Sequence, residues 1–258
     1  MCGRYMLFDD EGMISRAHAA WLAEAFGLIG EPEAETIRAQ SQGEVRPNQR
    51  APVRVQGEDN MRWMTWGFPN PRSLGLTINA RAETARTKGL FRVAMRQRRI
   101  AVPALGFYEW RHNASSKGKD PYLFRIPEQE LMWMAGAYTR FQTAGGGEVD
   151  RFVILTAPAN PVVAAYHDRM PVLLRSDEVE TWLAPGDDWQ QLLERATWVH
   201  PEAVSARGVP PLPSAQAKAK QVLNSIAPPP DVSVEPKRGV LLQQSLFGME
   251  NGKWKVEN

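Results

Sequence analysis

RIAVPALGFYEW, residues 99–110, is apolar at almost every position between Arg99 and the single carboxylate Glu109. Its branched and aromatic side chains read as a buried strand. Three runs of the same kind follow: PYLFRIP (121–127), LMWMAGAYTRF (131–141) and RFVILTAPAN (151–160). They are separated by the turn clusters HNASSKGKD (112–120) and TAGGGEVD (143–150), whose triple glycine reads as a hairpin turn. Upstream, APVRVQGEDNMRWMTWG (51–67) reads as another hairpin, turning at GEDN. Strands joined by short turns pair antiparallel.

The helical signals lie around these strands. SRAHAAWLAEAFGLIG (15–30) starts on a capping Ser15, repeats Ala19, Leu22, Ala25 and Phe26 at helical spacing, and meets Gly27 near its end. AETARTKGLFRVAMRQRR (82–99) is helical in part, with an interruption near Gly89. SDEVETWLAP and DDWQQLLERA are short helices begun by Ser or Asp. The polar stretch EPEAETIRAQSQGEVRPNQRAP (31–52) reads as loop. There is no regular alternation of strand and helix and no internal repeat. The expected fold is therefore α+β: a single domain with a largely antiparallel, barrel-like β core flanked by helices. The Pro-rich IAPPPDVSVEPKRG ends that domain, giving a folded part over 1–228 and a flexible tail over 229–258.

No apolar run in the 258 residues approaches the ~20 needed to span a membrane, and the first residues, MCGRYMLFDDEG, contain no signal-peptide core. The formal net charge is only +2, but 23 of the 31 basic residues are Arg, whose planar fork suits phosphate. Between residues 81 and 99, Arg81, Arg86, Lys88, Arg92, Arg96, Arg98 and Arg99 face only Glu83. Such a run is a solvated helix face or a nucleic-acid footprint. Nucleotide-binding glycine motifs are missing. One Cys and four dispersed His give no zinc spacing, so neither a metal nor another cofactor is expected. A lone thiol without a disulfide partner fits the reducing cytoplasm.

That thiol is Cys2. Removal of Met1 would leave an α-amine and a thiol on one residue. An α-amine has an ordinary pKa of about 7.7–8.0, so a usable fraction is free base at neutral pH. It can add to an aldehyde to form a Schiff base, and the adjacent sulfur can close a five-membered thiazolidine ring.

CGRY (2–5), RPN (46–48), WG (66–67), NARAET (79–84), GFYEW (106–110), PY (121–122), AN (159–160) and HDRMP (167–171) occur in that order. The ordered set resembles the SOS-response-associated peptidase family, whose members covalently trap abasic sites in single-stranded DNA. The resemblance runs from Cys2 to about residue 224. It implies a catalytic group of Cys2, Asn79, Glu109 and His167. The residue chemistry agrees. Glu109 among aromatics is a desolvated acid–base group, the His167 imidazole can protonate the sugar oxygen, and the Asn79 amide can orient the open sugar or the amine. Arg4 and Arg81 fall in matched motifs as phosphate clamps; Arg86 and Arg169 are further DNA contacts or, equally, helix-surface or salt-bridge residues. Trp66 and Trp110 stack on bases or serve as core, and Met170 and Pro171 shape the pocket. The sequence departs from the family pattern in WGFPNP, in Ile100 and Leu105, and in Ala157 after Thr156; none of these is a matched catalytic position.

The partners expected from the resemblance are single-stranded DNA with abasic sites, no membrane, and a monomeric state, in the cytoplasm and with the nucleoid when DNA-bound. QQSLF (243–247) resembles the bacterial sliding-clamp motif, with Gln243 setting register and Leu246 and Phe247 as apolar anchors. Beside covalent capture, with weak lyase activity and slow reversal as side reactions of the imine, two other functions are compatible: an N-terminal-nucleophile peptidase and a non-catalytic single-strand-binding module.

Overall fold

The computed structural model describes residues 2–7, 43–58, 61–70, 75–112, 119–126, 131–143, 145–195 and 202–204. The helix expected over 15–30, the domain end at 228, the tail and its Gln243, Leu246 and Phe247 lie outside the described residues. Packing divides the chain into two units. The first comprises Met1–Thr139 with Arg151–Ala206, and the second Arg140–Asp150 with Arg207–Asn258. The described part of the second is the hairpin tip, where Arg140 pairs with Asp150 at 2.9 Å and Thr143 closes on Gly147.

The described strands are β1 (Tyr5–Met6), β2 (Glu44–Val45), β3 (Arg50–Val55), β4 (Met61–Trp66), β5 (Phe68–Pro69), β6 (Leu76–Thr77), β7 (Asn79–Arg81), β8 (Arg99–Ala104), β9 (Gly106–His112), β10 (Lys119–Arg125), β11 (Met132–Gln142), β12 (Glu148–Pro158), β13 (Arg169–Pro171), β14 (Leu173–Leu174) and β15 (Glu202–Val204). The described helices are α1 (Ala82–Ala85), α2 (Gly89–Gln97), α3 (Pro161–Ala164), α4 (Glu178–Leu183) and α5 (Trp189–Arg195). One sheet runs β15-β10-β9-β1-β2, every pair antiparallel. The other runs β13-β12-β4-β3-β8-β11-β14, and β11 also pairs with β12. The strands β12, β4, β3, β8 and β11 thus close into a five-stranded barrel. Its β4–β12 pair is parallel, as is the pairing of β7 onto β12. The fold is the expected α+β with a barrel core.

RIAVPALGFYEW is two strands, not one. The chain leaves the barrel at Leu105, whose N–H donates to the Met6 carbonyl at 2.7 Å, and continues as β9 in the other sheet. Gly106 permits the switch. A Cβ there would stand 2.7 Å from Leu123 Cδ1 and 2.8 Å from the Phe124 carbonyl oxygen. The segment 31–52, read as loop, ends in structure: β2 pairs with β1 and β3 begins at Arg50. Its polarity misled because Glu44, although 7% exposed, is neutralised by Arg4 and Arg46.

Candidate active site around Cys2

The pairing of β1 with β9 places the N-terminus beside Glu109. Tyr5 lies opposite Phe107 and Met6 opposite Gly106, and the Tyr108 N–H donates to the Arg4 carbonyl at 3.0 Å. Cys2 precedes Tyr5 by three residues at this end of the pair, where the charge of Glu109 acts on its thiol. Asn79, the first residue of β7, donates its Nδ2 to the Cys2 carbonyl at 2.8 Å. Its Oδ1 is buried and accepts no hydrogen bond among the described residues. β7 runs parallel to β12 with Asn79 opposite Ile154, so the barrel wall itself fixes the amide that holds Cys2.

Cys2 is 0% exposed. Burial pushes its thiol well above the usual range, and the negative charge of Glu109 adds to the effect. Glu109 is 2% exposed, and burial raises its carboxyl above the ordinary value, with the charge of His167 working against that rise. His167 arrives from β12 through α3. Asn160 caps that helix by accepting the Val163 N–H at 2.9 Å, and the His167 N–H closes on the Val163 carbonyl at 3.0 Å. The His167 Nδ1 accepts the Arg169 N–H at 3.0 Å and lies 2.9 Å from Asp168 Oδ1. Accepting from Arg169 requires a bare Nδ1, which puts the proton of the neutral ring on Nε2. A protonated ring pairs instead with Asp168.

The structure joins Asn79 to Cys2 by a hydrogen bond, the charge of Glu109 acts on the Cys2 thiol and that of His167 on the Glu109 carboxyl; the expected DNA contacts are distributed differently. Arg4 lies 5.2 Å over the half-buried Trp110 ring and pairs with Glu44 at 3.3 Å. Arg81 is exposed at the end of β7. Arg86 is exposed and donates to Gln190 Oε1 at 2.9 Å. The guanidinium of Arg169 is committed to Glu83, at 2.8 Å for one of its two contacts, and to the Thr156 carbonyl. This bond holds the Glu83 carboxyl below its ordinary range. Trp66 takes the core alternative. It is 0% exposed, donates Nε1 to the Ile78 carbonyl at 3.0 Å and stacks on Phe152, so no base reaches its face in this conformation. Met170 and Pro171 are buried, and the Met170 sulfur accepts the Asn160 N–H at 3.4 Å.

Three contributors went unread in the sequence: Glu44, Asn160 as a helix cap, and Asp168. Glu44 carried a signal, since EVR puts Glu44 and Arg46 on one face of a strand. The RPN and WG motifs also gain a physical meaning. Asn48 holds φ of 69°, a region asparagine tolerates, and its N–H donates to the Trp66 carbonyl while its Oδ1 accepts from Arg151 at 2.7 Å. Among the described residues no three His, Cys, Asp or Glu side chains cluster as metal ligands, and no helix is long and apolar enough to cross a membrane.

The sequence model of the SOS response associated peptidase (SRAP) family matches residues 1–211. The abasic site processing protein YoqW of Bacillus subtilis is 31% identical over 193 residues, covering 72% of this chain and 81% of that protein. The abasic site processing protein HMCES of Xenopus tropicalis is 30% identical over 152 residues, covering 48% of this chain and 45% of that protein. A crystal structure of a Bacteroides thetaiotaomicron protein superposes with a TM-score of 0.60 at 26% identity, covering 74% of this chain and 86% of that one.

Proposed function

The chain belongs to the SOS response associated peptidase (SRAP) family, and from that premise we propose that it captures abasic sites in single-stranded DNA through Cys2. The observation that supports the reading is Cys2, buried and held by the Asn79 amide at 2.8 Å, with the buried Glu109 acting on its thiol and His167 acting on the Glu109 carboxyl.

The chemistry begins with hydrolysis of the Met1–Cys2 bond, the peptidase step of this account, which frees the α-amine. The amine nitrogen attacks the aldehyde carbon of the ring-opened sugar, giving a carbinolamine. Water leaves once its oxygen is protonated, and an imine remains. The Cys2 sulfur then adds to the imine carbon, the imine nitrogen takes up a proton, and a thiazolidine results. Overall one water is lost and nothing is oxidised. Burial keeps the thiol protonated, so the amine acts first and the sulfur second. Glu109, with its raised affinity for a proton, donates to the departing hydroxyl and then accepts the proton of the thiol. His167 protonates the sugar oxygen as the ring opens. The Asn79 Oδ1 accepts no hydrogen bond among the described residues, and the freed amine is the donor that suits it. The same imine permits slow β-elimination of the strand, and reversal through Glu109 reopens the ring. The role is to shield the lesion until it is repaired.

The test uses an abasic oligonucleotide, an intact oligonucleotide and a peptide library. The expected result is a heat-stable adduct with the abasic strand only. Cys2→Ser and Cys2→Ala, which retain the amine, yield an adduct trapped by borohydride but no stable one without it. Cleavage of peptides without any adduct, or strand binding without one, overturns the reading.

A further inference from the structure

The sheet that presents Glu109 also carries an aromatic cluster which the capture chemistry leaves unused. Phe107 and Phe124 stack with centroids 5.2 Å apart, and both are 0% exposed. Above this floor the rings of Tyr122 and Tyr166 meet at 4.4 Å, and Tyr166 stands edge-on to Phe124 at 5.2 Å. Both tyrosines are only half-buried. The exposed guanidinium of Arg111 lies 5.9 Å from the Tyr166 centroid, at the outer limit of a cation–π contact, with Asp120 as its cross-strand partner.

The position of this cluster gives it meaning. Tyr122 is the cross-strand partner of Glu109, so both side chains stand on one face of the β9–β10 pair. Arg111 lies two residues beyond Glu109 on the same strand and therefore shares that face. Tyr166 immediately precedes His167. A cation and two part-exposed rings thus border the two acid–base groups. Aromatic faces stack on any base, and a guanidinium matches a phosphate.

We propose that Arg111, Tyr122 and Tyr166 form a subsite for the nucleotide next to the abasic residue, its base against the tyrosine rings and its phosphate on Arg111. The proposal rests on the reading of Cys2 as the capturing residue. It leaves Arg4 and Arg81 to grip the strand elsewhere.

The experiment measures adduct-forming rates of the full chain with three substrates: an abasic oligonucleotide, the same strand with the bases flanking the lesion replaced by inert base-less spacers, and glycolaldehyde. Tyr166→Ala should slow capture of the first about tenfold. It should match the wild type on the spacer-flanked strand and stay within twofold of it on glycolaldehyde, while Tyr166→Phe keeps the full rate. Arg111→Ala should flatten the salt dependence of capture by about one phosphate contact. Equal slowing on glycolaldehyde would mean that Tyr166 only positions His167, and it overturns the subsite. So does an unchanged rate on the first strand, or the same loss with and without flanking bases. A wild-type chain that forms no adduct with the abasic strand fails the functional reading itself, and the subsite falls with it.

Discussion

Glu109 is held on β9 between Tyr108 and Trp110, with Tyr122 across the strand pair and Cys2 beside it. Its folded-state carboxyl binds a proton more tightly than in the unfolded chain. A raised carboxylate contributes stability that is present below the unfolded value and lost as pH rises through the folded one, because the native state then binds more protons than the unfolded state. Glu109→Gln should therefore raise the melting temperature at pH 8, and the gain should vanish as pH falls below about 4.3, the ordinary glutamate value. The same variant should slow abasic-site capture by about 100-fold, the usual scale for a general acid–base group. Thermal melts across pH check the first statement and adduct kinetics the second; a variant less stable than the parent at pH 8 contradicts the burial argument. At this scale the burial of Glu109 was legible from the aromatic residues that flank it in a short motif. Arg169 and Trp66 were not. Their partners, Glu83, Ile78 and Phe152, come from distant parts of the chain, so HDRMP and WG leave a DNA contact and an ion pair or core role equally open.

Arg99 shows what decides an element. In the sequence it is one more cation of a basic run, yet it is 0% exposed. Its Nε donates to the Trp182 carbonyl at 2.7 Å, its Nη1 to the Met95 and Arg96 carbonyls at 3.0 Å, and its Nη2 to the Ala184 carbonyl. These are the carbonyls left over at the ends of α2 and α4, and the guanidinium caps both against β8 while lying 4.8 Å over Trp189. Burial lowers its pKa to about 10, so it remains charged at neutral pH. Arg99→Met removes the cap and strands several buried acceptors, at a cost of about 3 kcal/mol or more. Urea denaturation should show this loss. A shift below about 1 kcal/mol would mean that water replaces the cap at little cost. The strands themselves were readable from their apolar runs. The break at Leu105 was not, because Gly106 is required by residues 123 and 124, which the local pattern does not contain.

For the molecule as a whole, the barrel and its class followed from strand-like runs joined by short turns. Closure through β11 and β12, and the parallel β4–β12 pair, depended on contacts between segments far apart in the chain. The basic run divides on folding: Arg99 is core, while Arg81, Arg86, Arg92 and Arg96 are exposed, Arg86 with a hydrogen bond to Gln190. Raising salt from 50 to 200 mM should weaken strand binding steeply, with a slope set by the phosphates contacted. The QQSLF segment remains a proposal about the tail. Replacing Leu246 and Phe247 by Ala should abolish binding to an immobilised sliding clamp and leave abasic-site capture unchanged. Binding that survives the change, or that the parent never shows, removes the clamp from the account.

The central claim is tested most directly by the intact mass of the purified chain before and after exposure to an abasic oligonucleotide. The account predicts a protein lacking Met1, shifted by the oligonucleotide mass less one water. A chain that still carries Met1, or one lacking it whose mass does not move, contradicts it.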